Sequence, residues 1–436
     1  MPRTANLHRA LICLGAAGLV GGAWWIAIPP AAAAFPGANG DIAFVSTRNN
    51  NVAIYQVNPQ GSGVGTTSGD EANTTPLTNG APDAEPFYSP DGNTVYFSSA
   101  RSGSWAVYAI PQSAQEPPTS PTELSQVSGA EDHDDYSPSV APDGQTVVLN
   151  RDNSALYTLY TSAGVSSVCL LDTPPEGLAP ASSDNGAGSR PVFDPQDQSK
   201  LLFVGGDNHI HMLSGIPVPS GHNPCGVSPG SLSDTDLSAE ATAPAGDGIA
   251  SAADADPDWN PAGIGTTSVQ IGGHNTNVIF DSTRGGGHTL WAMDLTTSPP
   301  TVTPVWSSLV GVGKKSDTQP VFSPDGYYVT YTEPAVQNGT QVMDYELDKL
   351  GQPNNQETDL TLTTGTPANS QPDWQPTIAA QTPEAPVAIL LPAGGLLVVG
   401  TALSLRRSRR STTGLRLART RHPRSRASMM HGDGTN

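Results

Sequence analysis

A pair of prolines recurs six times along the chain, and this repeat limits the possible folds more than any other feature. In each copy the second proline stands four residues after the first, at Pro86/Pro90, Pro138/Pro142, Pro191/Pro195, Pro257/Pro261, Pro320/Pro324 and Pro372/Pro376. The first prolines of successive copies are 52, 53, 66, 63 and 52 residues apart. Repeats of this length are typical of proteins built from supersecondary units that bury their faces against one another.

Each unit is predicted to consist of short antiparallel strands. Asp-Gly follows the second proline in three copies, at Asp91, Asp143 and Asp325, and an alternating apolar stretch comes next. This order predicts a hairpin, because Asp and Gly accept the positive φ that a tight turn needs. Later polar turns in each unit indicate a third and a fourth strand. Helical repeats are disfavoured, since a period of 3.6 residues is absent and the prolines would break helices.

Four short strands per unit predict the blades of a β-propeller. After the first 34 residues, the first predicted strands lie at 42–46, 52–57 and 76–78, and they match the second, third and fourth strands of a unit. The missing first strand occurs near the other end, at 371–375. We therefore expect an all-β fold of six four-stranded blades over residues 35–377, closed by pairing of the N- and C-terminal strands.

Two segments carry a resemblance to a known family. PFYSPDGNTVYFSSARSGSWAVYAI and QPVFSPDGYYVTYTE resemble the TolB-type propeller repeat, a WD40-like repeat also called PD40. The resemblance covers most of residues 40–376 and implies a six-bladed propeller. It implies no single activity, because related propellers serve as protein-binding modules, as gating domains of serine peptidases and in some enzymes. The fourth unit departs from the pattern, with Gln196-Asp197-Gln198 where Asp-Gly is expected.

The first 34 residues have the pattern of an export signal. Arg3 and Arg9 precede an apolar run, and small residues before Phe35 offer a cleavage site. An uncleaved anchor is the alternative. In the predicted exported part, Cys169 and Cys225 are the two cysteines, and an oxidising location would allow them to form a disulfide.

A second apolar stretch, at 385–405, is long enough to span a bilayer and is followed at once by an arginine cluster. We predict a linker at 378–384, a transmembrane helix at 385–405 and a basic cytoplasmic tail at 406–436, with the propeller outside the cell membrane of a bacterium. A buried core helix is one alternative. The other is a sorting signal whose cleavage would transfer the protein to the cell surface.

Charge is distributed unevenly along the chain. Residues 35–384 contain nine Lys and Arg and 39 Asp and Glu, a difference of −30, whereas the tail beyond residue 405 contains nine arginines and one aspartate. The acidic part should repel nucleic acid and attract cations or basic partners. The tail is expected to anchor the chain against anionic lipid.

Side chains near the first proline of each unit are the candidate binding residues. Glu85, Asp135, Asp256, Gln319 and Gln371 are predicted to ring one mouth of the central channel, where they would bind a cation or a basic group. The alternative is a structural role, in which these side chains cap turns or bond to the neighbouring blade.

Two groups of residues are candidate metal ligands. Asp254, Asp256 and Asp258 resemble an oxygen-rich Ca²⁺ site, although the glycine and glutamate that complete an EF-hand loop are missing. His209 and His211 alternate along one predicted strand, but the sequence indicates no third ligand nearby, so solvent-facing histidines are the favoured interpretation. No cofactor other than Ca²⁺ is expected.

Motifs of catalysis are missing from the sequence. The nucleophile elbow Gly-x-Ser-x-Gly, the zinc-protease spacing His-Glu-x-x-His and the phosphate-binding loop are absent. We therefore predict a non-catalytic module that binds an extracellular protein, peptide or cell-wall component. The alternative is a propeller hydrolase or lyase, whose dispersed channel carboxylates would leave no motif.

Overall fold

Short antiparallel strands joined by turns make up the part of the chain that the structure describes. In the computed structural model this part comprises residues 35–48, 51–60, 74–79, 81–114, 119–125, 133–162, 165–172, 190–216, 232–239, 241, 252–263, 269–284, 287–305, 316–334, 340–346, 358–361 and 368–377. No α-helix occurs among these residues, as the prediction of an all-β fold requires.

The predicted export signal, linker, membrane helix and basic tail lie outside the described residues. Within the described ranges, no helix has the length and apolar character needed to cross a membrane.

Six four-stranded antiparallel sheets contain nearly all of the strands, and we number the sheets in chain order. Sheet 1 consists of β1 (Ala38–Ser46), β2 (Ala53–Val57), β3 (Thr74–Pro76) and β26 (Asn369–Thr377). Sheet 2 consists of β4 (Asp83–Tyr88), β5 (Thr94–Ser99), β6 (Ala106–Pro111) and β7 (Thr122–Glu123). Sheet 3 consists of β8 (Asp135–Val140), β9 (Thr146–Arg151), β10 (Ala155–Ser162) and β11 (Val165–Asp172).

The second half of the chain repeats this order. Sheet 4 consists of β12 (Val192–Asp194), β13 (Asp197–Val204), β14 (Ile210–Ser214) and β15 (Ser233–Asp236). Sheet 5 consists of β16 (Asp254–Trp259), β19 (Val278–Ser282), β20 (Thr289–Asp294) and β21 (Thr301–Pro304), with a separate hairpin of β17 (Gln270–Ile271) and β18 (His274–Asn275). Sheet 6 consists of β22 (Thr318–Phe322), β23 (Tyr328–Pro334), β24 (Thr340–Glu346) and β25 (Thr358–Asp359).

The sheets are arranged as the blades of a propeller. In each sheet one edge strand contains the first proline of a pair or, in sheet 4, directly follows it; these strands are β4, β8, β12, β16, β22 and β26. Each of them contacts its counterparts in the two neighbouring sheets, and the series of contacts returns from β26 to β4. This confirms the predicted β-propeller of four-stranded blades.

The hydrophobic core lies between neighbouring sheets. Val192, Leu202 and Ile210 of sheet 4 pack in one cluster with Trp259 and Trp291 of sheet 5. Both tryptophans are fully buried, and the indole N–H of Trp259 donates to the carbonyl oxygen of Val192 at 3.0 Å. A sheet that is packed in this way on both faces depends on its neighbours for its stability.

The two ends of the described chain meet in sheet 1. Strand β26 pairs antiparallel with β1, with Ala38 opposite Thr377 and Ser46 opposite Asn369. The predicted pairing of the terminal strands is therefore present. On the other side of β26, Gln375 donates from Nε2 to the carbonyl oxygen of Gly92 at 2.8 Å, which joins sheet 1 to the tight turn of sheet 2.

Gly92 provides a test of this junction. Gly92 and Gly144 occupy equivalent turns and have the same φ of +68°, but a Cβ on Gly92 would lie 2.1 Å from the backbone oxygen of Pro376. At Gly144 the nearest atom, Cγ of Pro90, is 3.9 Å from such a Cβ. Both alanine substitutions carry the penalty of positive φ, but Gly92→Ala also forces two blades apart.

We expect Gly92→Ala to lower the free energy of unfolding by about 2 kcal/mol more than Gly144→Ala does. Urea denaturation of the two variants measures this difference. Equal losses in the two variants would show that the contact between Gly92 and Pro376 does not hold the ring closed.

Candidate functional site

The residue immediately before the first proline has the same place in five of the six edge strands, and in sheet 4 it lies just ahead of β12. Its φ lies between +46° and +56° in five of the six sheets, at Glu85, Ser137, Asp256, Gln319 and Gln371. The strand register shifts at these positions, because the proline after each of them has no N–H to donate to the ladder. Arg190 precedes Pro191 in sheet 4. We call these six residues the pre-proline ring.

Hydrogen bonds between blades stabilise this unusual backbone. The N–H of Gln371 donates to Oε1 of Gln319, and the N–H of Glu85 donates to Oε1 of Gln371, each at 2.9 Å. The N–H of Ser137 donates to Oε2 of Glu85 at 2.5 Å, and the Ser137 hydroxyl donates to Oε1 of the same carboxylate at 2.7 Å. Each of these side chains thus satisfies the backbone of the next sheet.

A second layer of such bonds follows the proline. Oδ2 of Asp258 accepts the N–H of Phe322 at 2.7 Å, and Oδ2 of Asp373 accepts the N–H of Tyr88 at 2.6 Å. Burial raises the pKa of both carboxyls, in each case to about 7, although the donated N–H groups and Arg190 act in the opposite direction. Both carboxyls therefore titrate near neutral pH.

The structure shows where the residues of the predicted ring lie. Glu85, Asp256, Gln319 and Gln371 occupy equivalent positions and are at most 7% exposed. Three of these side chains accept backbone N–H groups of the next sheet, and the fourth, Asp256, is also buried. This arrangement agrees with the structural alternative.

Asp135 does not belong to the ring. It lies two residues before Ser137, ahead of the register shift, and accepts hydrogen bonds from Nε and Nη2 of Arg151 at 2.7 and 2.9 Å. Asp83 and Asp254 are paired in the same way, with Arg101 and Arg284. Position directly before the first proline, and not the presence of a carboxylate nearby, identifies the members of the ring in the sequence.

Arg190 is the one member of the pre-proline ring with a positive charge, and the sequence did not predict its place there. It is 8% exposed, and its Nη2 donates to the carbonyl oxygen of Pro86 at 3.3 Å. Burial raises the pKa of Glu85, Asp256, Asp258 and Asp373, and the positive charge of Arg190 opposes that rise at all four. The cation that the acidic residues were predicted to attract from outside is thus partly supplied by the chain itself.

Asp256 and Asp281 form a pair of buried acids in sheet 5. Burial raises the pKa of Asp256 well above its usual range, and the charge of Asp281 raises it further. Burial also raises the pKa of Asp281, against a hydrogen bond from Nδ1 of His288 at 2.7 Å. One oxygen of each carboxyl, Oδ1, has no hydrogen-bond partner among the described residues. Such a pair retains a proton readily and is able to act in acid–base chemistry.

The three aspartates predicted as Ca²⁺ ligands are not brought together. Asp254 is fully buried against Arg284, Asp258 accepts the backbone N–H of Phe322, and Asp256 is buried near Asp281, whose charge raises the pKa of Asp256. The arrangement of residues 254–258 across the register shift separates these side chains, although they alternate in the sequence.

A cluster of His and Asp side chains lies at one end of sheet 4. Asp207, His209 and Asp236 place one ligand atom each within 4.8 Å of one another. His211 is 2% exposed and not solvent-facing, because its Nδ1 bonds Asp234 at 3.0 Å and its Nε2 bonds Asp207 at 3.2 Å. Burial alone would lower the pKa of His211, but the two carboxylates raise it above its usual value.

The sequence did not indicate a third residue beside His209 and His211 because Asp236 is distant from them along the chain. Asp236 stands on β15, more than 20 residues after His209, and β15 pairs with β14 so that Asp236 lies opposite His211. Asp207 precedes His209 by two residues and would have been the local signal.

Cys169 is disulfide-bonded, and its partner lies outside the described residues. The pairing of Cys169 with Cys225 stays a prediction.

These features define an all-β propeller of four-stranded blades whose central polar residues bond one blade to the next. The fold is similar to the crystal structure of TolB from Acinetobacter baumannii, with a TM-score of 0.50, 14% identity, and coverage of 78% of this chain and 67% of that one.

Two further structures are similar at lower scores. Putative TolB from Agrobacterium tumefaciens has a TM-score of 0.39, 16% identity and coverage of 78% of this chain and 99% of that one. An oligogalacturonate lyase in complex with manganese has a TM-score of 0.36, 12% identity and coverage of 72% and 84%. At these identities the likeness concerns the fold alone. No known family profile and no curated protein matches the sequence.

Proposed function

We propose that this chain is a six-bladed, TolB-like propeller that acts outside the cell membrane as a non-catalytic module for binding a protein, a peptide or a cell-wall component. The observation that carries the proposal is the hydrogen bonding around the channel. Glu85, Gln319, Gln371, Asp258 and Asp373 all accept backbone N–H groups of a neighbouring sheet. Polar groups used in this way make a rigid scaffold and are not available for a substrate.

The binding surface is assigned to the end of the propeller that carries the tight turns after β4, β8 and β22. Asp91, Asp143 and Asp325 stand at equivalent places in these turns, and Asp91 and Asp325 are exposed. The charges of Asp91 and Asp143 both raise the pKa of Tyr96, after the larger effect of its burial, so the two carboxylates lie near the same side chain. With an excess of acidic residues in the exported part, this end suits a partner that presents basic groups.

Capture from native membrane and cell-wall fractions tests this assignment. The full-length chain serves as bait, beside a triple variant with Asp91, Asp143 and Asp325 changed to Asn. Asparagine keeps the acceptor oxygen that each turn uses for a backbone N–H, but removes the charge. We expect a basic partner that is captured by the unchanged chain, lost with the triple variant and released by salt.

A matched control removes charge from the opposite end of sheet 3. Asp134 and Asp152 lie there, on the side of the turn between β9 and β10, and their change to Asn should leave capture unchanged. Equal capture by the triple variant would contradict the assigned surface. Turnover of any wall-derived substrate by the purified chain would contradict the non-catalytic role.

A propeller hydrolase or lyase is the second candidate, and the Asp256–Asp281 pair favours it. Both carboxyls are buried, and both have raised pKa values and an unpartnered oxygen. These are properties of acid–base groups in enzymes. Assays with peptide and polysaccharide fragments would support this candidate if turnover occurs and is abolished by Asp256→Asn. Absence of turnover with both proteins would exclude it for those substrates.

The location belongs to the same proposal. An export signal at 1–34, a membrane helix at 385–405 and a basic tail at 406–436 would hold the propeller outside the cell. Protease treatment of intact cells should degrade the propeller and leave a membrane-bound fragment that contains the tail. The mass of the untreated protein distinguishes a retained anchor from one removed by cleavage at the cell surface.

A further inference from the structure

The His and Asp cluster of sheet 4 has the geometry of a metal site. Nδ1 of His209 lies 2.9 Å from Oδ2 of Asp236 and 3.6 Å from Oδ2 of Asp207. A first-row divalent metal binds nitrogen and oxygen at about 2.0–2.2 Å, which places adjacent ligand atoms about 3.0–3.5 Å apart in tetrahedral or octahedral geometry. Both distances from Nδ1 of His209 are therefore close to the separation that one coordination sphere requires, and all three ligand atoms lie within 4.8 Å of one another.

Both proposed carboxylate ligands are held in place by a second group. Asp207 is bonded by Nε2 of His211 at 3.2 Å, and His211 is fixed in turn by Asp234 at 3.0 Å. Oδ1 of Asp236 accepts the backbone N–H groups of Ser238 and Ala239 at 3.1 and 2.9 Å, which leaves Oδ2 directed at His209. Outer partners of this kind orient ligands in metalloproteins.

The cluster is open to solvent on one side and closed by the backbone at Gly205 on the other. The side chains of His209, Asp207 and Asp236 are 22%, 33% and 28% exposed, so water has access to the open side of the cluster. On the closed side, a Cβ at Gly205 would lie 2.6 Å from Oδ1 of Asp207 and 2.7 Å from Nε2 of His211. The backbone thus approaches the cluster as closely as glycine permits.

The geometry points to a binding site for one divalent first-row transition-metal ion on Asp207, His209 and Asp236, with water in the remaining positions. One imidazole and two carboxylates suit Zn²⁺ or Mn²⁺. Ca²⁺ is disfavoured, since it takes six to eight oxygen ligands and this site offers a nitrogen. The ion would tie the turn before β14 to the outermost strand, β15.

Isothermal titration of the full-length, chelator-treated chain with Zn²⁺ and with Mn²⁺ tests the site. His209→Ala and Asp236→Asn each remove a ligand, and we expect each to weaken binding by more than about 100-fold. Asp234→Asn disturbs only the outer partner of His211 and should weaken binding by roughly 10-fold. Thermal unfolding of every variant without metal shows whether it is folded.

His288→Ala is the matched control, because His288 pairs with Asp281 at 2.7 Å in another sheet and should not alter metal binding. Histidines at other positions, including His422 and His431 of the tail, contribute background that is common to all variants. X-ray absorption of the Zn²⁺ complex should show one imidazole and oxygen ligands.

Two results would overturn the inference. The first is equal affinity of the unchanged chain and the folded His209→Ala variant for both ions. The second is the absence of any response of the cluster to Zn²⁺ or Mn²⁺, which would mean that His209 is held between the two carboxylates by hydrogen bonds alone.

Discussion

Replacing Arg190 by Met is expected to lower the free energy of unfolding by about 3–5 kcal/mol at about pH 8. Arg190 is 8% exposed, and its charge acts on Glu85, Asp256, Asp258 and Asp373, all of which are buried. Methionine fills a similar volume but leaves these carboxyls without the nearby cation. A buried charge that has lost its partner destabilises the folded state much more than an exposed one.

The loss should shrink at low pH. Without Arg190 the pKa values of the four carboxyls rise further in the folded chain, so the variant binds protons at a higher pH than the unchanged protein does. As the pH falls below those pKa values, the carboxyls become neutral, and the variant regains the unfolding free energy that it lacks at higher pH. Guanidinium denaturation at about pH 8 and about pH 5 should give a clearly smaller loss at the lower pH.

Lys200→Met is the control for the removal of one positive charge. Its Nζ bonds Asp197 at 2.9 Å, but the two side chains are 31% and 40% exposed, so a loss below about 1 kcal/mol is expected. If Arg190→Met lost less than about 1 kcal/mol of unfolding free energy, or lost the same amount at both pH values, Arg190 would not neutralise the four buried carboxyls.

Asp258→Asn should stabilise the protein at about pH 8, by up to roughly 4 kcal/mol. Burial raises the pKa of Asp258 from 3.8 to about 7. The folded chain therefore binds this proton more tightly than the unfolded chain does, and its contribution to stability is complete below about pH 4 and lost as the pH rises to about 7. Asparagine stays neutral and keeps an oxygen that can accept the N–H of Phe322.

The free energies of unfolding of the unchanged protein and the variant should differ little at about pH 4, and the difference should grow as the pH rises. Asp91→Asn is a control of opposite sign. Burial of Asp91 is outweighed by hydrogen bonds from Ser89 and Asn93, which lower its pKa, so its contribution is lost on acidification. If the free energy of unfolding depended on pH in the same way in the unchanged protein and in Asp258→Asn, the pKa of Asp258 would not be raised.

The propeller could be predicted because its signals are local. Proline pairs and Asp-Gly turns determine where strands begin and reverse, and a proline pair that spans five residues is enough to recognise each copy. Four of the five predicted channel residues hold the expected register for the same reason. Ser137 and Arg190 were not predicted because carboxylate and amide side chains were expected in the ring, whereas the common property of these positions is the place before proline.

The burial and the partners of the site residues could not be predicted. Whether Glu85 is open to solvent depends on Ser137, which belongs to the next blade and is 52 residues away. The Asp207, His209 and Asp236 cluster likewise requires that β15 pair with β14, and residues 217–231 stand between the two strands. Such contacts depend on the packing of the whole ring, which no short pattern contains.

The pairing of β26 with β1 also has a kinetic consequence. Sheets 2 to 6 each consist of strands from one continuous stretch, so each can form from contacts of short range. Sheet 1 joins residues such as Asp41 and Gln375, which are 334 positions apart. Closing so long a loop before its contacts form opposes folding and slows it. During synthesis the ring must therefore stay open until β26 has appeared, and its exposed blade edges depend on that last strand for protection.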